Sequence, residues 1–289
     1  MRPVSLTCLL MTVVFGAHAT NAPSSKLSSS VSLAVATEHT RAQLLADTSK
    51  GAMPGGEITL GLSLEHQPGW HSYWKNPGDS GLPTSLHWTL PDGVVADEIA
   101  WPTPAQFRDG PLLNFGYGGT LLLPVRLTIP ADFDADVLEV ALRARWLVCA
   151  EICIPETGEF ALRIPLEKAA ARAFQPTSEA AFAQAQTRLP IDVREIVSAR
   201  VKGGLLVFGI DRLPERYHDQ ILELYPETGG VVDHAETFVQ VWAMRTWSVR
   251  LPVSPQRSES PEFLDIVVKL PGEESGSRIR LQIAGWSSS

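Results

Sequence analysis

Trp146-Leu-Val-Cys149-Ala-Glu-Ile-Cys153-Ile-Pro155-Glu-Thr-Gly158 decides how the chain reads, because it closes one long alternating run, leads into another, and sets two cysteines four positions apart between them. In an extended strand four residues span roughly 13 Å, whereas bridged Cα atoms lie about 5.5 Å apart, so the chain must coil or turn between the two. A helical turn through Ala150, Glu151 and Ile152 puts positions i and i+4 on one face, and Pro155 then stops it. A loop this short contributes little closure entropy, which favours a metal-binding or redox pair over a structural clip and leaves the clip open.

Working outward, residues 137–148 alternate as a strand that delivers Cys149, and residues 159–165 alternate as a closing strand. Earlier strands are expected at 32–37, 41–46, 57–64, 84–90, 94–101 and 120–129, separated by turns such as Pro91-Asp-Gly93. The stretch 68–83 is too rich in Gly, Pro and aromatics for an ordinary connection and reads as a specialised loop anchored by Trp70, Tyr73 and Trp74, and 101–119 reads as a second unusual loop. Residues 169–189 give the one clear helical segment, with Thr177 or Ser178 as cap. Seven further short strands follow, at 193–201, 205–210, 221–225, 237–242, 247–251, 263–270 and 279–284. The expectation is an all-β chain of two immunoglobulin-like β-sandwich domains, 31–166 and 191–286, joined by a helical linker over 167–190.

The N-terminus predicts export. A positive start at Arg2, an apolar run over 6–15 and the small residues Ala17 and Ala19 read as a signal peptide over 1–19, followed by a Ser-rich disordered tail over 20–30. Cleavage removes Cys8 and leaves Cys149 and Cys153 as the only cysteines, in an oxidising periplasm that permits a disulfide. No later segment is apolar for long enough to cross a membrane as a helix. The net charge of −8, with 24 basic residues spread without a run, argues against nucleic acid as a partner.

The motifs Trp70-His-Ser-Tyr-Trp-Lys-Asn-Pro-Gly-Asp-Ser-Gly-Leu-Pro83, Trp101-Pro-Thr-Pro104, Asn114-Phe-Gly-Tyr117 and Trp146 through Glu156, in that order, resemble the N-terminal periplasmic region of the DsbD/ScsB family of transmembrane disulfide reductases, the ScsB branch more closely. The resemblance covers 31–166, and ScsB-like proteins also tend to carry a second β domain beyond. It implies a redox relay: a membrane domain passes electrons from cytoplasmic thioredoxin to Cys149 and Cys153, which hand them to periplasmic thioredoxin-like or disulfide isomerase-like proteins. It further implies an aromatic cap, with Phe115 and Tyr117 where that loop should be. The family continues into a membrane domain and a thioredoxin domain past the point where this chain stops at Ser289, so the expectation is a separate subunit or a truncated gene product, in either case a protein-disulfide reductase component without a cofactor whose electron donor is another protein.

His71 is a candidate base supporting the pair, although a histidine beside tryptophans is commonly a packed, hydrogen-bonded one. Glu151 either accepts a proton from a thiol or faces water. Trp70, Trp74, Trp101 and Trp146 read as core. A competing reading is periplasmic copper binding linked to copper tolerance, with the two thiolates and a third ligand from His71 or His87; Met53 and Met244 form no Met-rich site, and no metal site is expected. A third is a non-catalytic sandwich scaffold with a structural disulfide.

Overall fold

The computed structural model describes residues 33–286 except 48, 50, 167–178, 235 and 258. The expected signal peptide and tail, and most of the expected linker with its caps at Thr177 or Ser178, lie outside those residues. The first part runs β1 (Ala34–Ala36), β2 (Thr40–Asp47), β3 (Glu57–His66), β4 (His71–Gly78), β5 (Ser85–Thr89), β6 (Val95–Ala96), β7 (Ala105–Asp109), β8 (Leu112–Gly118), β9 (Thr120–Thr128), β10 (Val137–Cys149) and β11 (Cys153–Pro165). These make two layers of immunoglobulin type, β1-β2-β3-β9-β6 against β11-β10-β4-β8-β7, with β5 also paired to β10. Period-two patterning explains the layers: Leu138, Val140, Leu142, Ala144, Trp146 and Val148 point inward from β10, while Arg143 and Arg145 point out. They meet Leu60, Leu62 and Leu64 of β3 and Leu121, Leu123 and Val125 of β9 in one core.

Three local readings change. Residues 68–83 are not all loop: β4 runs through them, hidden from sequence patterning because Tyr73 and Trp74 are both buried, one on each face of the strand. Residues 101–119 contain the β7–β8 hairpin, and the strand expected over 94–101 shrinks to β6. The cysteines do not sit on a helical turn. β10 and β11 pair over their whole length and Cys149 and Cys153 are direct cross-strand partners, closed by residues 150–152. Pro155, at the edge of its sheet, leaves no ladder bond unmade on the open side.

The helix α1 (Glu179–Thr187) lies on the outer face of the first sheet, where Phe182 and Ala185 cover Leu122. Gly61 makes room: a Cβ there would stand 2.7 Å from Leu122 Cδ1 and 3.1 Å from Phe182 Cε1. Beyond it come β12 (Ile191–Lys202), β13 (Leu205–Ile210), β14 (Glu223–Pro226), β15 (Val239–Ala243), β16 (Thr246–Pro252), β17 (Phe263–Lys269) and β18 (Ser277–Ala284). Their seven strands form one hydrogen-bonded sheet, β14-β17-β18-β12-β13-β16-β15, wrapped around a second core that includes Phe208, Trp247, Ile266 and Leu281. The Gln240 side chain of β15 bonds Leu222 N (3.0 Å) and Leu222 O (2.9 Å) and so ties one end of the sheet towards the other. No described helix is long and apolar enough to cross a membrane.

Candidate functional site

Cys149 and Cys153 form a disulfide with Cα atoms 4.2 Å apart, as a narrow cross-strand pair allows. Parity places Cys149 on the outer face of its sheet with Arg143 and Arg145, yet it is only 3% exposed. Something outside the core therefore covers it. The cover comes from β4, whose His71 pairs with Cys149 and so extends a cross-strand row Cys153–Cys149–His71–Gly118. Two residues along, the Tyr73 hydroxyl donates to Cys149 Sγ at 2.8 Å and lies 3.5 Å from Cys153 Sγ. Gly81, at φ +97°, lies flat on the Tyr73 ring; a Cβ there would stand 2.2 Å from Cε1. Burial pushes the Tyr73 phenol up, which keeps it a donor.

Phe107 completes the cover, stacked on the His71 ring at 4.2 Å and 10°. The register explains why this residue takes the place expected of Phe115 and Tyr117. The β8 residues beside His71 and Tyr73 are Gly118 and Gly116, so Phe115 and Tyr117 point to the opposite, inner face. Phe115 packs edge-on against Trp74 and Tyr225, and the Tyr117 hydroxyl donates to Pro102 O at 2.7 Å. Phe107 pairs with Asn114, the same parity as the two glycines, which turns its ring to the disulfide face. Phe107→Ala is expected to raise the alkylation rate of the reduced Cys149 thiol about two- to tenfold, since a stacked aromatic pair contributes about 0.5–1.5 kcal/mol. An unchanged rate, read by mass, removes Phe107 from the cover.

Cys153 is exposed, and β11 is the last strand of its sheet. A nucleophile in line with the S–S bond can reach Cys153 Sγ from beyond that edge, while the approach to Cys149 Sγ runs into His71 and Tyr73. Glu151 and Ile152 at the hairpin tip are exposed, so Glu151 faces water. His87 pairs with Arg143 on β10, away from the Cys149 row. Among the described residues no group of three or more His, Cys, Asp or Glu is placed to hold a metal ion.

A second cluster, which sequence reasoning missed, sits inside the sandwich below the hairpin. Glu156 is 7% exposed and accepts from Thr37 Oγ1 (2.7 Å), Trp146 Nε1 (3.0 Å), His39 N (3.2 Å) and His39 Nδ1 (3.2 Å). Burial pushes its carboxyl up, but the bonds from Thr37, Trp146 and His39 outweigh that and hold it below the ordinary value. The His39 ring lies 3.8 Å from that of Trp70, so the cluster joins both layers at the disulfide end.

His66, His71 and His234 are all held below the ordinary 6.5, chiefly by burial. The unfolded chain therefore binds more protons just below that value, and stability should fall as pH drops from 7 through 6.5 towards the lowered values. Each proton contributes about 1.4 kcal/mol per pH unit within its window. Thermal melts from pH 7 to 5 should show the decline, and His71→Phe, which keeps a ring for Phe107, should lessen it while His66 and His234 keep their share; a Tm independent of pH in that range contradicts the lowered values.

The family model "Thiol:disulfide interchange protein DsbD, N-terminal" matches residues 41–165. No curated protein matches the chain. Among solved structures, the N-terminal periplasmic domain of ScsB from Proteus mirabilis superposes with a TM-score of 0.63 at 18% identity, covering 88% of this chain and 98% of that one, a likeness of fold. The yeast GGA1_GAE domain, with a TM-score of 0.25 at 9% identity over 44% of this chain and 95% of its own, is too distant to carry an argument. On the family match over that span and the likeness of fold, residues 41–165 are a DsbD/ScsB-like N-terminal domain.

Proposed function

We propose that the chain is a periplasmic thiol-disulfide exchange module that relays reducing equivalents through Cys149 and Cys153 from a membrane reductase to thioredoxin-like or isomerase-like partners. The family supports thiol-disulfide interchange, and the ScsB neighbour is a periplasmic domain. The observation that carries the reading is the asymmetry of the pair, with Cys153 open at a sheet edge and Cys149 buried under a hydroxyl donor.

In the uptake half-reaction a donor thiolate attacks Cys153 Sγ. The S–S bond breaks and Cys149 leaves as a thiolate, held by the Tyr73 hydroxyl; a charge-assisted hydrogen bond is stronger than one to a neutral sulfur. The donor's second thiolate then displaces Cys153, so the donor ends as a disulfide and this chain as a dithiol, two electrons and two protons richer. In the delivery half-reaction Cys153 thiolate attacks the acceptor's disulfide and Cys149 resolves the mixed disulfide by attacking Cys153 Sγ. The acceptor leaves reduced and the bond between Cys149 and Cys153 is restored.

Equilibration in glutathione buffers, with free thiols counted by alkylation and mass, tests the reading. A potential between about −180 and −270 mV, the range of working exchange proteins, is the expected result. A value below about −300 mV marks a structural clip and overturns it.

A further inference from the structure

The motif that carries β4 to the disulfide continues into contacts with a different part of the chain. β4 has a regular ladder with β8 only over His71, Ser72 and Tyr73, and the pairing resumes at Gly78. On its other side β10 reaches it only at His71. From Trp74 to Pro77 the strand has no paired residue in its register, and the C-terminal sheet contacts it there. Asn76, 1% exposed, donates from Nδ2 to Pro226 O at 2.7 Å. Lys75 pairs with Glu227, whose other oxygen accepts from Arg278 Nε at 2.7 Å. Trp74 meets the Tyr225 ring edge-on at 6.3 Å, and Tyr225, fully buried, belongs to the core of the N-terminal sandwich.

The same segment returns to the redox pair. Asn76 Oδ1 accepts from Gly78 N at 3.1 Å, and Asn114 Oδ1 accepts from Ser80 N and Ser80 Oγ at 3.0 Å each. These bonds aim the turn so that Gly81 lands on the Tyr73 ring. Tyr73 is thus fixed from two directions, by its own strand and by the turn behind it, and Asn76 sits on that strand and bonds the start of that turn.

We propose that the C-terminal sheet is a positioning element for the redox pair: through Tyr225, Pro226 and Glu227 it fixes Trp74, Asn76 and Lys75, and so holds the Tyr73 hydroxyl on Cys149 Sγ. Asn76 and Glu227 are positioning residues that act through Tyr73. The inference rests on the exchange reading for its meaning but not for its test.

The test compares the dithiol–disulfide equilibrium constant against glutathione for the full chain and for Tyr73→Phe, Asn76→Ala, Glu227→Gln and the double variant Asn76→Ala/Tyr73→Phe. The Tyr73 bond favours the reduced, thiolate-bearing form, so Tyr73→Phe should shift the constant about threefold or more towards the disulfide, the scale of one hydrogen bond. Asn76→Ala and Glu227→Gln should shift it the same way, and the double variant should go no further than Tyr73→Phe alone. Val249→Ala, in the second core, supplies a control that lowers Tm without moving the constant. Glu227→Gln keeps the test alive if Asn76→Ala fails to fold. Additive shifts, or positioning variants that match wild type, overturn the inference. Failure of the exchange reading appears separately, in the wild-type constant itself.

Discussion

In Cys149→Ser protein the remaining Cys153 thiol is expected to be alkylated about a hundredfold faster than the Cys149 thiol of Cys153→Ser protein, the factor that about 2.7 kcal/mol of local opening free energy imposes. The asymmetry follows from burial and edge position together. Cys153 is exposed on the last strand of its sheet, so a reagent meets it without any rearrangement. Cys149 is 3% exposed beneath Tyr73 and beside the stacked His71 and Phe107 rings, and a reagent reaches it only when that cover opens. The same difference predicts that Cys149→Ser traps mixed disulfides with redox partners, while Cys153→Ser traps none. Equal alkylation rates for the two single-thiol proteins would remove the geometric basis for assigning attack to Cys153.

The cysteine pair, the β-rich architecture and the order of the motifs were legible in the sequence because each is carried by local pattern. What escaped depends on register. Whether residues 150–152 form a helical turn or a hairpin depends on β10 and β11 pairing over thirteen residues, a contact between strands that spacing alone does not report. Phe115 and Tyr117 were expected on the cysteine face, but one step of parity along β8 turns them inward and leaves Gly116 and Gly118 outside. Tyr73 was read as an anchor only, because its role needs a partner 76 residues away. Glu156 had a usable signal. Once β11 is read as a strand, it shares parity with Phe160, Leu162 and Ile164, and a carboxylate on an inward-facing row announces a buried, fully hydrogen-bonded group.

That carboxylate carries the largest expected effect on stability. Glu156→Ala should destabilise the protein by about 3–5 kcal/mol, the range for removing one member of a buried charged network, and lower Tm by about 6–20 °C. Four donors converge on two oxygens, and truncation leaves the Trp146 indole N–H, the His39 backbone N–H and its ring N–H without an acceptor, while the Thr37 hydroxyl keeps only Thr40 O at 2.8 Å. Glu156→Gln should recover only part of the loss, since its amide offers one acceptor oxygen and turns an NH2 towards the remaining donors. Acid sensitivity supplies the second signature. Because the carboxyl lies below its ordinary value when folded, its contribution is present above the unfolded pKa of about 4.3 and is lost as pH falls through the folded one. Wild type should therefore lose stability more steeply than Glu156→Gln below pH of about 4.5. A Tm for Glu156→Ala within about 2 °C of wild type would show that the cluster is solvated in solution and does not brace the hairpin that carries the cysteines.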